Sequence, residues 1–215
     1  MRLLFSILFS LFSFLSFAQS TTVVISQVYG GGGSGTATYG SDYVELHNIS
    51  ATDQDISGFK LFYGSSAGNL ASSVTNSFTF PASGVIIPAG GYLLVASTST
   101  GTALPVTADH TFSLSLSASN GKVAFGTSAM VSNTTLALQP AGSVIDFVGY
   151  GSANESETSP CPVLSTTTAA IRNSNGCDDS NSNVADFSVG VPNPHNSASP
   201  IVSCTSSPLL MITYT

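Results

Sequence analysis

The residues that could carry chemistry are few, and most lie late in the chain. In Cys177-Asp178-Asp179-Ser180-Asn181-Ser182-Asn183-Val184-Ala185-Asp186, the side chains of Asp179, Asn181 and Asn183 alternate and Asp186 follows three residues on. Oxygen donors at every second position, wrapped into a turn, suit a hard cation such as calcium. The frame is not an EF-hand, because Val184 stands where that loop needs glycine and no glutamate closes it. The competing reading is a turn in which Asp and Asn accept hydrogen bonds from nearby backbone amides. His47, His110 and His195 are scattered, and none falls in a metal-ligand spacing. Strand alternation puts Glu45 and His47 on one outward face, which allows a weak surface cation site. Two solvated polar side chains are the plainer reading.

Other constellations are incomplete. The run Gly30 to Gly33 follows a strand-like segment, as a phosphate-binding loop would, yet no Lys-Ser or Lys-Thr closes it and no helical pattern follows. A bulged or flexible connection explains it better. No serine sits in a Gly-x-Ser-x-Gly frame, and no Cys and His pair up as a thiol enzyme would need. The expectation is a protein without a catalytic site. The three cysteines are Cys161, Cys177 and Cys204. In an exported chain a disulfide is expected, and Cys161 with Cys177 would close a short loop, leaving Cys204 in the tail.

Export is the expected address. Arg2 supplies a short positive region, Leu3 to Phe17 is apolar, and Ser16-Phe17-Ala18 offers small residues for cleavage. Residues 1–18 therefore read as a signal peptide, too short for a comfortable membrane span of roughly 20 residues. Cleavage would remove Arg2 and take the formal net charge from −7 to −8. So acidic a surface repels phosphate backbones, which disfavours direct nucleic-acid binding and anionic membranes. Charged residues make up only 7% of the chain while apolar ones make up 42%, too many for a disordered segment.

The elements that must position these groups are strands. Apolar residues alternate with period two almost throughout, and no ten-residue run has helical spacing. Val23 to Tyr29 opens the mature chain and is apolar enough to be covered on both faces for part of its length. Val44 and Leu46 point inward, with Tyr43, Glu45 and His47 outward. Further runs are Ile56 to Tyr63, Ser77 to Phe80, Gly84 to Ile87, Tyr92 to Ala96, Thr111 to Leu116, Lys122 to Phe125 and Val144 to Tyr150. Short ones follow at Ala169 to Arg172 and Asp186 to Val189. Asn120-Gly121 reads as a hairpin turn, and Asp53 to Asp55 as a simple turn. About nine to ten short strands without a βαβ rhythm predict an all-β sandwich. Residues 19–197 make the domain, and residues 198–215, rich in Ser, Pro and Thr, read as a linker.

Taken in order, several stretches resemble a known family. They are Val24-Ile25-Ser26-Gln27-Val28-Tyr29-Gly30-Gly31-Gly32, Asp42-Tyr43-Val44-Glu45-Leu46-His47-Asn48, Asp55-Ile56-Ser57-Gly58-Phe59-Lys60-Leu61, Ile87-Pro88-Ala89-Gly90-Gly91-Tyr92-Leu93-Leu94-Val95, Gly121-Lys122-Val123-Ala124, Asp146-Phe147-Val148-Gly149-Tyr150-Gly151 and Pro192-Asn193-Pro194-His195-Asn196-Ser197. Together, from Val23 to Ser197, they look like the lamin-tail domain in its secreted bacterial form. That resemblance implies an immunoglobulin-like sandwich without a catalytic site, often joined in bacteria to exported nucleases, phosphatases or other hydrolases. Phe59 stands where the family commonly has Trp. The expected function is a secreted interaction or anchoring module for a protein or glycan surface; Tyr29, Tyr39 and Tyr63 could form a glycan platform, though core packing or hairpin pairing explains most of them. The alternative is an accessory domain that positions an exported nuclease or phosphatase.

Overall fold

The computed structural model describes residues 19–113 and 115–204. The expected signal segment and the end of the tail, 205–215, lie outside the described residues, as does Leu114. The strands in chain order are β1 (Val23–Tyr29), β2 (Tyr43–Asn48), β3 (Gln54–Asp55), β4 (Lys60–Ser65), β5 (Ser77–Thr79), β6 (Ile86–Ile87), β7 (Tyr92–Ser97), β8 (His110–Phe112), β9 (Gly121–Gly126), β10 (Val144–Tyr150), β11 (Ala169–Arg172) and β12 (Phe187–Gly190). A six-stranded sheet, ordered β12-β11-β1-β2-β7-β8, faces a four-stranded sheet, ordered β10-β9-β4-β5. β3 and β6 form a small separate ribbon. The strand that the sequence runs did not include is β3, which occupies the segment read as a turn at Gln54-Asp55 and pairs with β6.

The sandwich core follows from alternation. Ile25, Val28, Val44, Leu46, Leu93 and Val95 of the large sheet pack against Leu61, Tyr63, Val123, Phe125, Val148 and Tyr150 of the small one. The pairing of β1 with β2 slips between Ile25 and Gln27. That bulge breaks the two-residue rhythm, so Ile25 and Val28 share the core side while Ser26 and Gln27 both reach the opposite face. The opposite face is itself covered. Tyr29, Tyr43, Leu94, Ala96 and Ala169 form a second apolar cluster, roofed by Tyr39, Leu104, Val106 and Ala108. All residues of β1 and β2 are buried as a result.

Two local expectations are corrected. β8 stops at Phe112 and pairs parallel with β7, so no hairpin joins it to β9 at Asn120-Gly121. The glycine run is a packing device rather than a flexible loop. A Cβ on Gly30 would lie 2.3 Å from the Ser117 carbonyl oxygen, and one on Gly32 would lie 2.4 Å from the Asp42 amide nitrogen. Asp42 then fixes the loop, its two carboxylate oxygens accepting Gly32 N–H at 2.7 Å and Leu116 N–H at 2.8 Å. Burial pushes its carboxyl up to about 6, although both amides oppose the shift. An Asp42→Asn variant keeps one acceptor for two donors, one buried and one partly so. It is expected to cost about 1–3 kcal/mol in urea denaturation at pH 7, and an unchanged midpoint would contradict that role.

Candidate functional site

Among the described residues, chemistry-bearing side chains converge on the outer face of the large sheet and beside its β1–β11 junction. On the outer face, the bulge aims Ser26 and Gln27 at Glu45. Glu45 Oε1 accepts Ser26 Oγ–H at 2.6 Å, and Oε2 accepts Gln27 Nε2–H at 3.0 Å. The same Oε2 accepts the His195 backbone N–H at 2.5 Å and lies 3.2 Å from His195 Nδ1. Gln27 also pairs with the Asn193 backbone in both directions, donating to its carbonyl at 2.7 Å and accepting its N–H at 3.3 Å. A strap from Asn193 to Ser203 is thus pinned across the sheet by side chains acting as a ladder.

Rings hold the same strap. Tyr92 is stacked between His47, centroids 4.2 Å apart, and His195, centroids 4.7 Å apart. The two imidazoles are shifted oppositely. The hydrogen bond to Glu45 pushes His195 up, whereas burial pulls His47 down. A cavity of about 230 Å³ remains beneath the strap, lined by Glu45, Tyr92, Arg172, Asn175, His195 and Val202 among others. Ser26 donates to Glu45 and not to a histidine, so the imidazole is not placed to activate that hydroxyl.

The expectation that Glu45 and His47 face water is therefore corrected: both are buried, because residues distant in sequence cover their face. They do share that face, but Glu45 is held by the strap and His47 by the carbonyls of Gly176 and Val202. Tyr29 and Tyr63 are buried too and present no platform. Their hydroxyls bond the Thr166 carbonyl and the Ser117 N–H.

At the second place, β11 ends at Arg172 and leaves Ile25 of β1 without a strand partner on that side. A buried ion pair replaces the ladder. Asp146 accepts Ile25 N–H at 2.5 Å, Arg172 Nε donates to the Ile25 carbonyl at 2.8 Å, and the two side chains meet at 2.6 Å. A register slip in β10 between Val144 and Asp146 aims the carboxylate inward. Arg172 further donates to the Asp178 carbonyl at 2.8 Å and lies 3.5 Å from Asp179 and 3.9 Å from Asp186. Its guanidinium sits over the Phe187 ring, 4.5 Å from the centroid.

The residues expected to hold calcium surround this pair, each with its own partners. Asp179 Oδ2 accepts Ser20 N–H at 2.7 Å and Oδ1 accepts Asn181 N–H at 3.3 Å. Asp186 accepts the N–H groups of Ser180 and Ser182 and the Ser180 hydroxyl. Asn183, in a single helical turn, caps Gly149 and Glu157 N–H with its oxygen and donates to Phe147 and Glu157. Asn181 takes a left-handed conformation, φ 56°, in the turn between them. The bonds from Asn181, Ser180 and Ser182 N–H are local to the turn, whereas those of Ser20, Phe147, Gly149 and Glu157 tie it to the rest of the chain. Oxygens of Asp146, Glu157 and Asp179 also approach one another within 4.8 Å, a cluster the spacing did not reveal. Burial, then the charges of Asp146 and Asp179, push the Glu157 carboxyl up to about 9, with Arg172 opposing.

The disulfide expectation is corrected as well. Cys177 is bonded to Cys204, with Cα atoms 5.3 Å apart, while Cys161 is a free, buried thiol pushed up to about 12 by burial. Cys161 packs in the sandwich core; Cys177 lies outside it, beside the strap. Residues 198–204, read as linker, return to the sheet, with Val202 N–H bonding the Gly90 carbonyl at 2.8 Å.

With sheets, strap and ion pair described, comparison with known families decides the classification. The profile of the Lamin Tail Domain matches residues 16–152, well over half of the chain. The chain belongs to the lamin tail domain family. No curated protein matches it. The sandwich of a six-stranded and a four-stranded sheet agrees with the immunoglobulin-like fold of lamin tail domains. In this lamin tail domain, Phe59 packs on the core with its ring 5.8 Å from that of Phe125, so phenylalanine serves where a tryptophan is common. The matched stretch ends just after β10, and β11, β12, the disulfide and the strap lie beyond it.

Proposed function

We propose that this lamin tail domain is an exported, non-catalytic module whose work is contact with a protein or glycan surface. One observation carries the reading. The charged side chains that come together inside it, at Glu45 and around Arg172, are engaged by groups of the same chain. Apolar side chains meanwhile stand in solvent at several places, and those around Val74 and Leu138 are among the most exposed. Val74 is 90% exposed and Leu138 72%, with Val131 nearby. Their loops are braced, since Asn133 N–H bonds the Leu70 carbonyl at 2.8 Å and Gln139 pairs with both backbone groups of Val131. A rigid apolar tip costs little entropy to dock. On this reading the Asp179-to-Asp186 turn is a brace, and the strap covers the outer face of the large sheet.

The test compares the mature chain with a Val74→Asp, Leu138→Asp variant on immobilised glycans and purified cell-envelope proteins. Binding is expected to fall at least tenfold in the variant with an unchanged melting temperature. Turnover of phosphoesters, nucleic acid or glycosides that scales with wild-type protein and disappears in a Glu45→Gln variant would overturn the reading.

A further inference from the structure

The Cys177–Cys204 disulfide lies against a buried histidine. The two sulfur atoms and a ring nitrogen of His47 all fall within 4.8 Å of one another. The backbone enforces that closeness. His47 Nδ1 is 3.3 Å from the carbonyl of Gly176, the residue before Cys177, and Nε2 is 3.2 Å from that of Val202, two residues before Cys204. Gly176 is at φ +88°, and a Cβ there would lie 2.9 Å from Nδ1, so only glycine lets the turn approach the ring this closely.

His47 has an unmet requirement in this arrangement. A neutral imidazole carries one N–H, yet both ring nitrogens face carbonyl oxygens. One contact is a hydrogen bond and the other sets a lone pair against a lone pair, inside a fully buried residue. Burial also disfavours the doubly protonated ring that would satisfy both. With one of its carbonyl contacts unsatisfied and a ring nitrogen within 4.8 Å of two cysteine sulfurs, His47 completes with them the donor types of a zinc site.

We propose that, when the disulfide is reduced, His47, Cys177 and Cys204 bind one zinc-type divalent cation, which then staples the strap to the sheet in place of the S–S bond. The chemistry balances. A phosphine reductant with water yields two thiols and the phosphine oxide, a two-electron step, and the cation then displaces two thiol protons to give two metal–thiolate bonds. Three protein ligands leave a fourth tetrahedral position, reachable by water because both cysteines are partly exposed. The same three residues thus hold the strap by either of two bonds.

The test uses the whole mature chain, reduced with a phosphine without oxygen and titrated with Co²⁺ alone, then with Zn²⁺. One equivalent of Co²⁺ should give thiolate-to-cobalt charge transfer and the visible bands of a tetrahedral site, and one equivalent of Zn²⁺ should abolish them. His47→Gln should weaken Co²⁺ binding more than about a hundredfold, beyond the loss typical of an outer-sphere partner. Circular dichroism before metal addition keeps the result readable. A reduced chain that has lost its fold and recovers it with one Co²⁺ supports the site; one that stays unfolded and colourless overturns it. Absence of thiolate charge transfer, or equal binding by His47→Gln, overturns it as well.

Discussion

Replacing Arg172 by alanine is expected to remove about 3–5 kcal/mol of folding stability, the usual cost of breaking a buried ion pair from one side. Arg172 is wholly buried, and its guanidinium is the one cationic group among Asp146, Asp179, Asp186 and Glu157. Its loss would leave the Ile25 and Asp178 carbonyls without their donors and Asp146 without its counter-charge. Contact with the Phe187 ring would be lost too. Domains of this size have only about 5–15 kcal/mol to lose, so the variant should unfold at low urea concentration. Lysine would keep the charge, but a single ammonium cannot serve three acceptors at the positions of a planar fork. Arg172→Lys should therefore recover only part of the loss. An alanine variant within about 1 kcal/mol of wild type would show that the ion pair does not replace the missing ladder.

The second large effect is a fall in stability as pH rises. The Glu157 carboxyl titrates at about 9 in the folded chain against an ordinary value of 4.5, so the folded state holds the proton more tightly. The resulting stabilisation is complete below pH 4.5 and drains away between there and about 9, at a slope of at most about 1.4 kcal/mol per pH unit. Asp146, raised chiefly by burial against the opposing charge of Arg172, works in the same direction. Glu157→Gln keeps an acceptor for Asn183 Nδ2–H, now 2.9 Å from Oε2, without a charge to bury. Its unfolding free energy should fall less steeply than that of wild type from pH 6 to 9, the remaining slope coming from Asp146 and His195. It should exceed that of wild type at pH 8 by on the order of 3 kcal/mol. Below pH 6 a shallow slope should remain from Asp42. A level wild-type profile, or an equal slope in the variant, would contradict the assignment.

How much of this was legible in the chain depends on the distance over which each feature is decided. Period-two alternation is local, so the sandwich, the inward Val44 and Leu46 and the doubly covered β1 could be read directly. Burial of Glu45 and His47 could not, because their cover comes from a strap some 150 residues later. The bulge between Ile25 and Gln27 inverts the expected facing of Gln27 only once β2 is laid beside it. Cysteine spacing favoured the shorter loop, but spacing carries no information on depth. Cys161 is in the core, whereas Cys177 and Cys204 meet on the outside. The oxygen-rich run is visible in the sequence, but what its oxygens accept depends on the N–H groups of Ser20, Gly149 and Glu157 from elsewhere in the chain.

The central claim is that the ionisable side chains of this lamin tail domain hold its fold together, with Arg172 and Asp146 completing a ladder the backbone leaves open. A double-mutant cycle measures that directly, using Arg172→Met, Asp146→Leu and the pair in urea denaturation. The account predicts a coupling of about 1–3 kcal/mol, the double variant losing far less than the two singles together. Losses that simply add would contradict it.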